Sequence, residues 1–432
     1  MDLKAPAVTK EQNLLPTEID TQDIENLTPA ITEAKHMIPA VTDTENSTST
    51  NTLVGPHLAG HAEIVEVLLG AIEAIDKYNT TPLHHAASNG HIGVVVLLLG
   101  KGASIEAIDD DNNTPLHLAA WNGHTGVVEL LLGGGALIEA INKDNDTPLH
   151  RAASDGHTGV VELLLGKGAS IEATNRINNT PLHLAAWNGH TGVVELLLGK
   201  GASIEAINKI NNTPLHLAAL GGHTGVVELL LGKGASIEAI NTINTPLHLA
   251  ASGGHTYVVE LLHEKGASIE ATDEDNMTPL HLAAWNGHTY VMGLLLRKGA
   301  SIEAIDEDNE TPLHLAARDG HTAAMELLLG KGASNEAIDK DNNTPLHRAA
   351  RNGHTDVVKL LLGKGASIEA MDKYNNTPLH IAARNGHTDV VKLLLGKGAS
   401  NEAIDKDNNI PLHHATRNGH TGVVELLLEK GA

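Results

Sequence analysis

The chain has 432 residues, no Cys, no Phe and a formal net charge of −24. The missing Cys excludes disulfides, a thiol nucleophile and Cys-type zinc sites, and is typical of a protein in a reducing compartment. Nucleic acid is not predicted as a partner, because the chain is acidic and only 2% of its residues are aromatic, so basic surface and stacking platforms are scarce.

Residues 1–52 carry nine acidic residues against three Lys and end in a run rich in Thr, Asn and Ser. This composition cannot build a core and predicts a disordered polar leader or linker. Leu14-Leu15 and Met37-Ile38 are candidate short docking motifs, although the composition favours a plain linker. The start has no apolar core segment and no run of about 18 apolar residues occurs, so we expect a soluble protein without a classical export signal or membrane insertion.

Residues 53–75 are a shortened copy of the unit that fills the rest of the chain. The piece from Gly55 to His61 is too short for a full first helix, whereas the run from Ala62 to Leu69 is a good second helix. Stacked repeats need a polar outer face at each end. We therefore predict that this copy, with Glu63 and Glu66, caps the array at its N-terminal side.

From residue 76 to residue 432 one motif, Thr-Pro-Leu-His, recurs ten times, with an eleventh copy in which Ile replaces the Thr, at a spacing of 33 residues that shortens once to 32. A fixed period of this length is the signature of a stacked repeat array. We number the repeats 1 to 11 by the first residue of the motif: Thr81, Thr114, Thr147, Thr180, Thr213, Thr245, Thr278, Thr311, Thr344, Thr377 and Ile410.

Repeat 2 shows how each unit is expected to fold. Thr114 is an N-cap, Pro115 suits the first helical position, and His117 can reach back to the cap as in a capping box. Asn122-Gly123 predicts a left-handed stop. A second helix is expected from about Thr125 to Leu132, with Val127, Val128, Leu131 and Leu132 buried and Gly135 as its end. An extended arm and a polar turn lead to the next repeat.

The period and the Thr-Pro-Leu-His signature resemble those of the ankyrin repeat family, over residues 53–432. The resemblance implies an all-α repeat solenoid of stacked helix-turn-helix units with β-turn or hairpin tips. Two features depart from the family pattern. Asn stands in the turn where Gly is usual, as at Asn112, and Gly-Ala-Ser-Ile-Glu-Ala replaces the usual arm, as at residues 168–173. This Glu stands where the family has an Asn that is frequently hydroxylated, so we do not expect that modification here.

No C-terminal cap is evident, because the last repeat keeps the consensus sequence. Val423, Val424, Leu427 and Leu428 have no following layer, which predicts fraying or self-association at this end, or a sequence cut from a longer one.

The 28 His fall mainly into two rows, eleven after Pro-Leu and twelve after Gly. Once-per-repeat rows suit capping and loop bonding better than a metal site, which needs converging ligands. No metal, cofactor or catalytic residue is predicted.

One position varies while the framework stays constant, just before each Asn-Gly or its equivalent. We call it the variable row: Ser88, Trp121, Ser154, Trp187, Leu220, Ser252, Trp285, Arg318, Arg351, Arg384 and Arg417. All three Trp lie on it, and it ends in four consecutive Arg, here called the Arg ladder. The balance of charge changes nearby, from 12 basic and 30 acidic residues in 53–311 to 14 of each in 312–432.

In the ankyrin repeat family the turns and this helix face line a concave surface that binds partners. Because Trp and Arg dominate binding hot spots, we predict a protein partner. Its apolar side chains would meet the apolar members of the row and its acidic groups would meet the Arg ladder. The competing interpretation is that these Arg pair with turn acids of neighbouring repeats, such as Asp339, Asp341, Asp372 and Asp405, and that recent duplication of the repeats copied them neutrally. The predicted partner-binding residues are Trp121, Trp187, Leu220, Trp285, Arg318, Arg351, Arg384 and Arg417.

The prediction is therefore a non-catalytic scaffold, because the 52 residues outside the repeats are too few for a catalytic domain. Two alternatives stay open: a microbial effector delivered into a host cell, with the leader as its export tag, and a regulatory subunit that recruits an enzyme. The residues identify neither the compartment nor the partner.

Overall fold

The computed structural model describes residues 70–431. The predicted leader, residues 1–52, and residues 53–69 of the predicted cap lie outside this range. Within the described range the chain is helical at residues 70–72, then forms eleven helix pairs, and has no strand. The first helices are α1 Pro82–Ser88, α3 Pro115–Trp121, α5 Pro148–Ser154, α7 Pro181–Trp187, α9 Pro214–Gly221, α11 Pro246–Ser252, α13 Pro279–Trp285, α15 Pro312–Asp319, α17 Pro345–Asn352, α19 Pro378–Asn385 and α21 Pro411–Arg417. The second helices are α2 Ile92–Gly100, α4 Thr125–Gly133, α6 Thr158–Gly166, α8 Thr191–Gly199, α10 Thr224–Gly232, α12 Thr256–Glu264, α14 Thr289–Arg297, α16 Thr322–Gly330, α18 Thr355–Gly363, α20 Thr388–Gly396 and α22 Thr421–Glu429.

The first helices of repeats 1 to 10, which follow a Thr, begin with the predicted capping box, whereas in repeat 11 only the N–H of Ile410 bonds to Nδ1 of His413. In repeat 2, the backbone N–H of Thr114 donates to Nδ1 of His117 at 3.1 Å, and Thr114 Oγ1 accepts the backbone N–H of His117 at 3.4 Å. Because Nδ1 accepts, the ring hydrogen of the neutral imidazole is on Nε2. That Nε2–H donates to the carbonyl oxygen of Asp146 in repeat 3, at 3.0 Å. One side chain thus caps its own helix and holds the next repeat.

The two ring bonds, from the Thr N–H to Nδ1 and from Nε2–H to a carbonyl oxygen of the next repeat, recur at ten of the eleven histidines of this row, and these ten are buried. Burial lowers the pKa of His117 to about 4, and the carbonyl of Asp146 only partly opposes this shift. The pKa falls to about 4 for the same reason at His183, His216, His248, His281 and His314. These imidazoles are therefore neutral structural groups at pH 7.

The histidines of the second row connect neighbouring repeats at the other end of the first helices. Nε2 of His157 lies 2.7 Å from the carbonyl oxygen of Trp121, the last residue of α3. The bond satisfies an acceptor that a helix end leaves unpaired. The ring also occupies the space beside Gly123, which has φ +75°, and a Cβ there would lie 2.5 Å from His157 Nδ1. Only Gly meets both requirements at this turn.

The second helices differ slightly from the prediction. In repeat 2 the helix extends to Gly133, one residue beyond the expected Leu132. Val127, Val128 and Leu131 are buried as predicted, but Leu132 is only partly buried at the edge of the core. First helices pack against first helices and second against second, so the apolar residues form one continuous core through all eleven repeats. In the last repeat Leu427 is buried, whereas Leu428 is 56% exposed.

The turns, here called tips, are held by side chains and by one backbone bond to the next tip. Asn112 has φ +60°, which confirms the predicted left-handed residue, and its counterparts in the other full-length turns behave alike. The N–H of Lys143 donates to the carbonyl oxygen of Asp111 in the preceding tip, at 2.9 Å. In the arm, the carboxylate of Glu106 accepts the N–H of Leu137 in the next repeat, at 2.8 Å. The unusual arm Glu therefore joins neighbouring repeats.

The tip before Thr245 is one residue shorter and lacks the left-handed Asn. Asn142 Nδ2 donates to Asn113 Oδ1 at 3.0 Å across neighbouring turns, and Asn175, Asn208 and Asn241 donate in the same way. At the next step the donor position is Asp273, and Asn244 Oδ1 is buried without a hydrogen-bond partner. Burial raises the pKa of Asp273 to about 6, because an ionised carboxylate is poorly solvated there.

Asp273→Asn is expected to stabilise the array at pH 7.5 by roughly 1–3 kcal/mol. The amide removes a buried charge, supplies the missing donor to Asn244, and keeps the Oδ1 that accepts the N–H groups of Asp275 and Met277. The midpoint of thermal unfolding should rise. Asp306→Asn is the matched control, because burial raises its pKa to about 6 as well but the facing residue, Met277, offers no oxygen. If Asp273→Asn stabilised the array no more than Asp306→Asn, the new hydrogen bond to Asn244 would not contribute to stability.

Candidate partner-binding surface

The variable row lies at the C-terminal ends of the first helices, on or next to their last residues. The backbone carbonyls of its first ten members, Ser88 to Arg384, each lie within hydrogen-bond distance of the second-row His of the next repeat, for example Trp187 with His223 at 2.7 Å. The capping box fixes the other end of each helix. The row therefore presents one variable side chain per repeat from a backbone that both helix ends hold in place.

The three Trp on the row are not equivalent. Trp187 is 38% exposed, and no cation stacks on its ring among the described residues. Trp121 and Trp285 are partly buried, and each is covered by a guanidinium of the next repeat: Arg151 lies 4.9 Å and Arg318 4.8 Å from the ring centroids. Leu220 is partly buried on the repeat after Trp187. The apolar surface of the row is therefore most open at repeats 4 and 5.

The four residues of the Arg ladder also differ from one another. Arg318 pairs with Glu310 at 3.1 Å and with Asp319 at 3.4 Å. The other three have a neutral amide where Arg318 has Glu310: the bond lengths to the amide oxygens are 3.4 Å for Arg351 to Asn343, 2.8 Å for Arg384 to Asn376 and 3.5 Å for Arg417 to Asn409. A neutral partner orients a guanidinium without cancelling its charge.

The competing prediction paired these Arg with four turn acids. Among residues 70–431 no ion pair joins Arg351, Arg384 or Arg417 to any carboxylate. Each of the four acids has another partner: Asp339 meets Arg348 at 2.6 Å, Asp341 meets Lys373 at 2.6 Å, Asp405 meets His414 at 2.8 Å, and Asp372 accepts from Asn376 at 2.9 Å. The turn acids therefore bond to groups other than the Arg ladder, and three of its guanidiniums have no ion-pair partner among these residues.

Neighbouring cations add to this positive character. Burial, and next the positive charge of Arg348, lower the pKa of Arg351, so an added anion would be favourable beside it. Arg384 and Arg417 line a cleft of ≈460 Å³ between repeats 10 and 11, together with Asn376 and Asp405. The cleft contains both charge signs. A planar bidentate acceptor such as a carboxylate or phosphate matches the Arg geometry.

Arg151 and Arg348 belong to this surface but were absent from the predicted site. They stand three residues before the variable row, where most repeats carry Leu. Arg151 covers Trp121 and pairs with Asp146 at 3.5 Å. Arg348 bridges Glu310 at 2.8 Å and Asp339 at 2.6 Å. The exchange of Leu for Arg at one repeat position was the signal available in the sequence.

Other kinds of site are not evident in the described range. No group of three or more His, Cys, Asp or Glu side chains has an arrangement that could hold a metal ion. No helix among residues 70–431 is long and apolar enough to cross a membrane.

Comparison with known proteins agrees with the geometry. The family model described as ankyrin repeats (3 copies) matches seven overlapping segments: 57–142, 107–175, 136–208, 173–241, 240–306, 294–372 and 370–432. No curated protein matches the sequence. Among solved structures, the human ASB11 ankyrin repeat domain is 29% identical, with a TM-score of 0.48, and the match covers 51% of this chain and 99% of that one. Since the family model covers nearly the whole repeat region, the chain belongs to the ankyrin repeat family.

Proposed function

We propose that the chain is a non-catalytic scaffold that binds a protein partner along the variable row. Ankyrin repeats are generally protein-interaction modules. The observation that carries the proposal is that Arg351, Arg384 and Arg417 form no ion pair among the described residues and that each is held by a neutral amide. In a chain with a net charge of −24, three such cations in consecutive repeats form a local anion-binding surface.

The proposed surface has two parts. At the apolar end, Trp187 and Leu220 contact apolar side chains of the partner, while Trp121 and Trp285 contribute the ring area that Arg151 and Arg318 leave open. At the basic end, Arg351, Arg384 and Arg417 bind carboxylates or phosphates. Arg318 lies at the junction, where its ion pair with Glu310 leaves less charge for a partner. The apolar end lies on repeats 4 and 5 and the basic end on repeats 9 to 11. A partner that contacts both ends is therefore an extended segment or a broad surface.

The test is affinity capture from cell extracts by the full chain, quantified by mass spectrometry. A partner that uses the surface should be lost at least about 100-fold in the Arg351→Glu, Arg384→Glu, Arg417→Glu variant, since each charged contact contributes roughly 1.5–3 kcal/mol. The control variant, Lys331→Glu, Lys364→Glu, Lys397→Glu, makes the same charge change at exposed residues after the second helices.

The control should retain the partner, and both variants should melt like the parent. Equal loss in both variants would mean that net charge alone controls binding. Retention by the Arg variant would place the partner elsewhere on the array.

A further inference from the structure

The tips carry a short apolar section in the middle of the array. The third residue of the turn is Ile at Ile177, Ile210 and Ile243, whereas the other eight tips carry six Asp and two Tyr there. The three Ile side chains are 52%, 54% and 37% exposed. Backbone bonds hold their tips side by side, with Lys209 N–H donating to the Ile177 carbonyl at 3.0 Å and Thr242 N–H to the Ile210 carbonyl at 3.2 Å.

Where Ile replaces Asp in a tip, the basic residue of the next tip also lacks its usual carboxylate partner. At other tips a Lys pairs with the Asp of the preceding tip: Lys143 with Asp111 at 3.9 Å, Lys340 with Asp308 at 3.7 Å and Lys373 with Asp341 at 2.6 Å. Lys209 occupies the same position but faces Ile177. Among residues 70–431, neither Lys209 nor the exposed Arg176 forms an ion pair.

We define the tip patch as Ile177, Ile210 and Ile243 with Arg176 and Lys209. Contiguous exposed apolar residues mark contact surfaces. The positive charges of Arg176 and Lys209 favour a bound segment that carries carboxylates. The occupant should carry apolar side chains with carboxylates between them and no base. Two exposed apolar residues of other tips, Tyr78 and Tyr374, stand alone between charged neighbours and do not form such a patch.

The chain itself contains a segment of this chemistry. Residues 14–27 include the apolar side chains Leu14, Leu15, Ile19, Ile24 and Leu27, four carboxylates and no base. The 42 residues between 27 and 70 span at most about 150 Å. The tip patch lies three tips after Tyr78, or about 30 Å at the 8–10 Å spacing of packed helices. Chain length therefore permits intramolecular contact.

We propose that residues 14–27 dock on the tip patch of the same chain. Ile19 and Ile24 contact Ile177 and Ile210, and carboxylates of the segment pair with Arg176 and Lys209. The docked segment covers the tips of repeats 4 to 6, which precede the N-terminal ends of the first helices, whereas Trp187 lies at the C-terminal end of its helix. This contact is independent of the proposed partner, because it uses neither the Arg ladder nor the variable row.

The test is zero-length carbodiimide cross-linking of the full chain, with tryptic peptides identified by mass spectrometry. The proposal predicts a link between Lys209 and a carboxylate of residues 14–27. A mixture of ¹⁵N-labelled and unlabelled protein separates links within one chain from links between chains. Two variants keep every charge: Ile177→Ser with Ile210→Ser, and Ile19→Ser with Ile24→Ser. Each should lower the Lys209 yield at least about tenfold, because apolar burial is lost.

Links of Lys233, which follows the second helix of repeat 5, provide the reference and should not change. The mutated Ile177 and Ile210 are exposed, so the fold should tolerate Ser, which the melting midpoint will check. Three outcomes would overturn the proposal. These are links only between labelled and unlabelled chains, equal yields at Lys209 and at Lys373 or Lys406 near the Arg ladder, and yields that neither pair of substitutions changes.

Discussion

Acidification from pH 7 to pH 5 is expected to lower the melting midpoint of the array steeply, before most carboxylates titrate. The pKa of His216 is about 4 in the fold and about 6.5 in an unfolded chain. The unfolded state therefore binds protons that the folded state does not. The stabilisation is complete above pH 6.5 and is lost as the pH falls toward 4.

The expected size is about 3 kcal/mol for each such histidine over the full pH range. Six of them have a pKa near 4, so even part of the loss is comparable to the ~5–15 kcal/mol stability of ordinary domains. Asp273 and Asp306 oppose this loss of stability on acidification. Their pKa values are raised in the fold, so below about pH 6 folding takes up protons at these two carboxyl groups.

The measurement is thermal unfolding by circular dichroism between pH 7.5 and pH 5. His216→Gln is the matched variant, since Gln can occupy the third helical position of a capping box but does not titrate. The proton uptake on unfolding, obtained from the pH dependence of stability, should be smaller in this variant. A midpoint that stays constant down to pH 5 would show that the buried histidines are not neutral capping groups.

Leu230→Ala is expected to destabilise the array by about 2–5 kcal/mol. Leu230 is fully buried in α10, at the centre of the continuous core. Each repeat has only two short helices, so its stability comes from the interfaces with its neighbours. The loss should therefore spread to the adjacent repeats, and amide hydrogen exchange should accelerate in repeats 4 to 6 together.

The control for this change is Ile240→Ala in the arm of the same repeat. Ile240 is 63% exposed, so its truncation removes similar apolar atoms with a cost usually within about 0.5 kcal/mol. Urea unfolding of both variants measures the difference. If Leu230→Ala unfolded at the parent's urea concentration, the stacking of the second helices would be incorrect.

Sequence reasoning located the helices well because their signals are local. Thr114, Pro115 and Asn122-Gly123 mark the ends of a first helix within ten residues, and the structure confirms them. The role of His117 was only half predictable. Its bond to its own cap follows from the spacing, whereas its bond to Asp146 depends on how neighbouring repeats stack.

The proposed partner-binding surface was harder to predict, because it too depends on how neighbouring repeats stack. The row of Trp and Arg is visible in the sequence, but the neighbour of each side chain is not. Arg318 meets Glu310 while Arg351 meets Asn343, so the residue eight positions earlier decides whether the charge remains free. The cover of Trp285 by Arg318 likewise depends on the spacing between adjacent layers.

The most direct test of the proposed scaffold is hydrogen–deuterium exchange of the full chain with and without the partner obtained by capture. Binding along the variable row predicts slower amide exchange at the C-terminal ends of α7, α9, α17, α19 and α21, with no change in the second helices of the same repeats. Protection confined to the second helices, with none at these ends, would contradict a partner-binding surface formed by Trp187, Leu220, Arg351, Arg384 and Arg417.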